Sequence, residues 1–251
     1  MKHAKKLLAL LLTLALALAL AVPAFAEDTQ DAQDDCNPTF WQRIWGQIVM
    51  YWRFIKYVLG FGPNPVPPYI AKPVIYLYPE QPMEADVTLR LNGARFTETI
   101  PDYGDGWRVL AQPDGTLTNL ADGKEYPYLF WEALPDTPWP KLTEGFIVAR
   151  GDLPAFLAEK LRFLGLNDAE AGEFIEFWLP RLAVNAYNLI HFSGEYYDAR
   201  FPLGITPTPD SLLRVFMVAR SAKANERVTP QTLVPFERTG FAAIEWGGMI
   251  V

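Results

Sequence analysis

The chain has 251 residues, half of them apolar and 14% aromatic, with a formal net charge of −7. That is ample material for a core in one or two domains. Three of its 22 basic residues (Lys2, Lys5 and Lys6) precede a predicted cleavage site, so the remainder carries 19 basic against 29 acidic residues, a net of −10, which repels phosphate backbones and excludes general nucleic-acid binding.

The first residues read as an export signal. His3 to Lys6 is basic, Leu7 to Val22 is an apolar run, and Ala24-Phe25-Ala26 is a small-x-small cleavage site. Together they predict a secretory signal peptide over residues 1–26. The apolar run is about 16 residues, short of the ~20 that span a bilayer. Residues 27–39 form an acidic spacer, poor in residues that build a core. Cys36 is the single cysteine, so no intramolecular disulfide forms, and the acidic residues before it do not resemble a lipidation signal.

Residues 40–61 predict an amphipathic aromatic helix. At 100° per residue, Trp41, Ile44, Trp45, Ile48, Tyr51, Trp52, Ile55, Val58 and Leu59 share an arc of about 140°. Nine large side chains at ~1.5 kcal/mol each give a gross burial drive on the order of 10 kcal/mol. Such a stripe needs a cover: its own domain, a partner, or a membrane surface. Trp41, Trp45, Trp52, Arg53 and Lys56 are the residues that would sit at a membrane interface. Residues 62–71 are a proline-rich linker of extended type.

Residues 72–251 predict one α+β domain, a mostly antiparallel sheet with an inserted helical pair. Val74 to Tyr78, between Pro73 and Pro79, is an apolar run with both faces covered, hence an inner strand or one beneath helices. Asp86 to Leu91 and Phe96 to Ile100 flank Asn92-Gly93, a hairpin signal. Trp107 to Ala111, Tyr126 to Glu132 and Gly145 to Arg150 continue an antiparallel meander, with turns at Pro113-Asp114-Gly115 and Asp122-Gly123. The period then lengthens. Leu153 to Leu164 predicts a helix stopped by Gly165; Asn167 and Glu170 have capping-box spacing, and the second helix ends or kinks at Pro180. Strands resume at Tyr187 to Phe192, Leu212 to Ala219 and Phe241 to Trp246, with a proline-rich connection at Ile205 to Pro209.

Several segments occur together: Lys72-Pro73-Val74-Ile75-Tyr76-Leu77-Tyr78-Pro79, Asp105-Gly106-Trp107, Pro113-Asp114-Gly115, Tyr128-Leu129-Phe130-Trp131-Glu132, Trp178-Leu179-Pro180, Tyr187-Asn188-Leu189-Ile190, Pro209-Asp210-Ser211 with Arg214-Val215-Phe216-Met217, and Glu245-Trp246-Gly247-Gly248. In this order they resemble an uncharacterised family of exported proteins from Gram-positive, clostridia-like bacteria. The resemblance covers about Lys72 to Gly248. It implies export and a single domain, and no activity.

Candidate chemistry is narrowed by composition. With His191 and Cys36 alone after the signal peptide, a His/Cys zinc site and a Cys–His nucleophile pair are excluded, and there is no Gly-rich cofactor loop. No metal and no cofactor is expected. Carboxylates remain. Glu132 and Glu245 each sit in an apolar strand beside a tryptophan, as a pair of glycosidase acids would. The competing reading is that they pair with arginines such as Arg214 or Arg238 in the core. Trp131, Trp246, His191, Glu195, Tyr196 and Tyr197 are the candidate ligand-binding residues. The expectation is an exported, cell-envelope-associated binding or interaction module for a protein or glycan, with a glycan-acting hydrolase as the alternative.

Overall fold

Strand β1 (Ala71–Tyr78) lies between two antiparallel neighbours, β7 (Leu129–Pro135) and β13 (Ala242–Ile250). Its side chains alternate between two cores: Ile75 and Leu77 enter one, Val74 and Tyr76 the other. An apolar run covered on both faces is what its unbroken hydrophobicity predicts. The computed structural model describes residues 69–251. The signal peptide, spacer, aromatic helix and most of the linker lie outside the described residues, and with them Cys36, Trp41, Trp45, Trp52, Arg53 and Lys56.

Around β1 runs an eight-stranded sheet. It adds β3 (Ala94–Ile100), β8 (Glu144–Ala149), β9 (Tyr187–Ser193), β11 (Ser211–Ser221) and β12 (Thr229–Pro230), in the order β12-β8-β9-β11-β13-β1-β7-β3. Pairing is antiparallel except for β11 with β13 and β8 with β12. A second sheet contains β2 (Met83–Leu89), β4 (Trp107–Ala111), β5 (Leu117–Asn119), β6 (Glu125–Tyr126) and β10 (Leu203–Thr206), in the order β10-β2-β4-β5-β6. Val87, Trp107 and Val109 of this sheet pack against Leu77, Trp131 and Phe216 of the first.

The other face of the large sheet is covered by α1 (Leu153–Phe163) and α2 (Asp168–Leu182). Leu153, Leu157 and Leu161 recur every four residues, so one stripe of α1 is buried. Gly165, at φ +103°, ends that helix in the left-handed region that glycine enters without Cβ strain. The predicted capping box opens α2: the Glu170 backbone N–H donates to the Asn167 side chain and the Asn167 N–H to the Glu170 carboxylate, both at 2.9 Å. Pro180 does not stop α2, which runs on to Leu182. The donor it lacks would have served the carbonyl of Glu176, an exposed residue one turn from the helix end. A third helix, α3 (Glu195–Arg200), was not signalled by any periodicity.

Three expectations are corrected. The single sheet is two sheets. Asn92-Gly93 does not close a hairpin, because β2 and β3 belong to different sheets. Gly93 supplies φ +79° for the reversal, but the strand beyond it crosses to β7, while Arg90 and Asn92 donate to the Pro202 and Arg200 carbonyls at 3.0 Å. Turn residues set a change of direction, not the partner. The segment read as a connection at Ile205 contains β10, whose Ile205 stands opposite Val87.

Candidate functional site

Side chains from β1, β13, α2 and the turn before β7 meet at Lys72. The register of β1 against β13 shifts between Ala71 and Val74, a bulge that re-aims the side chain at its centre. Lys72 there has φ +50°, the only positive φ at a non-glycine among the described residues. A left-handed conformation costs an L-residue ~1 kcal/mol or more, and proline after it disfavours the α region further. The surroundings hold this strain in place. The Lys72 backbone N–H donates to Glu132 Oε1 at 3.2 Å. Gly247 lies so close that an added Cβ would fall 2.8 Å from Pro73 Cα.

The bulge sends the Lys72 ammonium into a set of aromatic rings. Its nitrogen is 5.4 Å from the ring centres of Phe177 and Trp246 and 6.0 Å from that of Tyr128. Among the described residues no carboxylate lies within 4.0 Å of it. Tyr76 and Tyr78 stack next to this cage, and Tyr128 meets Tyr76 edge-on at 5.4 Å. The Tyr76 hydroxyl donates to Glu173 at 3.1 Å. Burial, then the Glu173 charge, pushes the Tyr76 hydroxyl far above its ordinary pKa, so it stays a donor. Tyr78 donates to Glu170, itself bonded by Arg238, which anchors this side of the centre.

Glu132 completes the centre. Burial raises its pKa; the Lys72 N–H and the Arg181 charge oppose the shift and Glu98, directly opposite on β3, adds to it. Lys72, Tyr128, Phe130, Glu132, Glu173 and Phe177 are all half-buried, so the face is reachable from solvent. The arrangement offers the Lys72 ammonium, the Arg181 guanidinium 3.6 Å over the Phe177 ring, hydroxyl donors, carboxyl acceptors and ring faces.

Glu245 belongs elsewhere. Trp131 and Ala133 face the core between the sheets, so Glu132 between them faces the helices with Tyr128 and Phe130. Glu245 faces the intersheet core, where Arg214 Nε donates at 2.6 Å and Trp131 Nε1 at 3.0 Å. The two acids therefore stand on opposite faces of one sheet and cannot flank one bond, which removes the glycosidase pair. Alternation along β7 settles this: the carboxyl beside Trp131 must point away from the indole. Arg214 also donates to Asp198 at 3.0 Å and lies 4.4 Å over the Tyr197 ring. Tyr197 is buried, and desolvation, then the Glu245 charge, raises its pKa well above ordinary.

The remaining candidates are dispersed. Trp246 lies under Lys72, whereas Trp131 and Tyr197 surround the Arg214–Glu245 pair. Glu195 and Tyr196 lie on the exposed side of α3, where Tyr196 meets Trp139 edge-on and accepts a bond from Arg200. His191 is 3.8 Å from Glu144; burial lowers its pKa and Glu144 opposes the shift. Lys72 was the residue missed. Its signal was a lysine next to proline at the head of the apolar run Val74 to Tyr78, which strand patterning had assigned to a strand end.

No known protein family matches the chain. A curated protein of Butyrivibrio fibrisolvens, named as an uncharacterized protein in the bglA 3′ region, is 44% identical over 64 residues, which are 24% of this chain and 64% of that protein. The chain thus spans less than two thirds of that relative's length. No solved structure matches.

Proposed function

We propose that the protein is an exported, cell-envelope-associated binding module that takes an anionic glycan at the Lys72 centre. The observation that carries this reading is Lys72 itself. A strained bulge presents an ammonium group, without a carboxylate counter-ion among the described residues, beside the half-buried Tyr128 and Phe177 rings, which offer faces to a sugar, while Trp246 lies buried beneath. A carboxylate on the sugar would pair with Lys72, and its hydroxyls with Glu132 and Glu173. Export rests on residues 1–26, and envelope tethering on the aromatic stripe of residues 40–61. The uncharacterised Butyrivibrio relative is compatible with this reading and adds no activity to it.

The test is thermal denaturation of the full chain with glucuronic acid, with glucose as the neutral control. Ligand binding raises Tm by mass action. The acidic sugar should raise Tm, glucose should not, and Lys72→Gly should abolish the shift. No shift at tens of millimolar, or one that survives Lys72→Gly, excludes this ligand class at this centre. Tethering is tested by liposome co-sedimentation of Trp45→Glu/Trp52→Glu: undiminished binding removes the tether.

A further inference from the structure

Among the described residues, the outer edge of β8 is open along most of its length. On one side β9 pairs with Phe146 to Ala149; on the other, β12 meets only Glu144 and Gly145. The β8–β9 ladder continues into the bond from the Arg150 N–H to the Ala186 carbonyl, 3.0 Å. Bonded pairs alternate in an antiparallel ladder, so Phe146 and Val148 share the phase of Arg150 and face β9. Ile147 then turns its N–H and C=O groups outward, and Ala149 its N–H, beyond the reach of β12; the Ala149 carbonyl caps the 3-10 turn Arg150–Asp152. An unpaired edge of this kind is a template for another strand.

The edge lies in a groove of about 510 Å³, a size typical of ligand sites. Asp152, Phe156 and Lys160 line one side, Arg227, Val228 and Pro230 the other. Phe146 and Phe156 pack together at 5.3 Å, with the Lys160 ammonium over both rings. Most charges here are internally paired: Lys160 with Glu159 at 2.8 Å, and Glu226 with Arg220 at 2.5 Å. Asp152 and Arg227 have no ion-pair partner among the described residues. They mark the two ends of the groove: Arg227 precedes β12, and Asp152 follows β8.

The chain also shows what this edge accepts. Thr229–Pro230 already sits on it as a parallel strand, and the open stretch continues the same line. A segment added in that direction begins beside Pro230, with the Arg227 side chain lining the same groove, and ends near Asp152. We propose that the outer edge of β8 binds an extended peptide by parallel strand addition, acidic at its N-terminal end, apolar over Phe146 and Phe156, and basic at its C-terminal end. Backbone bonds to Ile147 and to the Ala149 N–H supply affinity, and the two rim charges set direction. The proposal is independent of the Lys72 centre.

The experiment is fluorescence anisotropy of the full chain with a labelled peptide containing Glu-Val-Thr-Val-Lys. Controls are the same length with Lys-Val-Thr-Val-Glu and an N-methylated copy of the first. The first should bind about tenfold more tightly than either control. The double variant Asp152→Lys/Arg227→Glu, altered only in exposed side chains, should invert the preference. Ile147→Pro deletes an outward N–H and leaves the β9 ladder intact, so it should weaken binding without unfolding the chain. Absence of binding at 1 mM (about −4 kcal/mol) overturns the proposal. So does equal binding of the N-methylated peptide, or a preference that the charge swap leaves unchanged.

Discussion

Arg214 stands directly opposite Glu245 on the parallel pair β11 and β13, its Nε 2.6 Å from the carboxylate. Their side chains are 6% and 1% exposed. Burial works against the charge on Arg214, but the Glu245 charge outweighs it and holds the guanidinium protonated. The pair is a core tie between two strands joined by a long crossover.

Removing one member strands the other. Glu245→Gln and Arg214→Met should each lower stability by about 3–5 kcal/mol. The double variant Arg214→Met/Glu245→Leu should lose clearly less than the sum, because no buried charge remains. A double-mutant cycle by denaturant unfolding reads this directly; additive losses would contradict a coupled pair.

At Lys72 the backbone and the side chain separate experimentally. Lys72→Ala and Lys72→Gly both delete the ammonium, but only glycine relieves φ +50°. The glycine variant should be more stable than the alanine variant by about 1 kcal/mol. Equal stability would mean that the bulge relaxes when the lysine leaves.

Gly248 and Gly172 should respond in opposite directions. A Cβ on Gly248 would fall 2.5 Å from the Met217 carbonyl oxygen and 2.9 Å from a Trp178 ring carbon, neither free to move. Gly248→Ala should cost about 3 kcal/mol. Gly172, exposed inside α2, has open space around it, so Gly172→Ala should stabilise by ~0.5–1 kcal/mol. Thermal unfolding of both variants checks the contrast.

Glu132 makes stability depend on pH. Its folded pKa is raised above the ordinary 4.5, chiefly by burial. The folded state therefore holds more protons in the window just above pH 4.5, and stability falls as pH rises through the folded value. Glu132→Gln removes that loss, so the stability of the variant relative to the native chain should increase from pH 4.5 to 7. A difference that stays flat across this range would show an unshifted carboxyl.

Legibility followed the range of the interaction. The Asn167–Glu170 box, the leucine stripe of α1 and the covered strand β1 were readable because each is decided within a few residues. The hairpin at Asn92-Gly93 failed because a turn motif carries no information about the strand that finally receives the chain. Glu132 and Glu245 looked alike in sequence, each an acid beside tryptophan in an apolar strand. Alternation then put one under the helices and the other between the sheets.

By itself, then, the sequence determined the charge balance, the local elements and the two-sided burial of β1, all consequences of composition and of periods two and 3.6. Only the tertiary structure decided that a second sheet covers the first, that Arg214 neutralises Glu245, and that Lys72 faces Tyr128, Phe177 and Trp246. Those contacts join residues 31 to 174 positions apart or stand across sheets. Their physical cause is packing between distant strands, which no local pattern encodes.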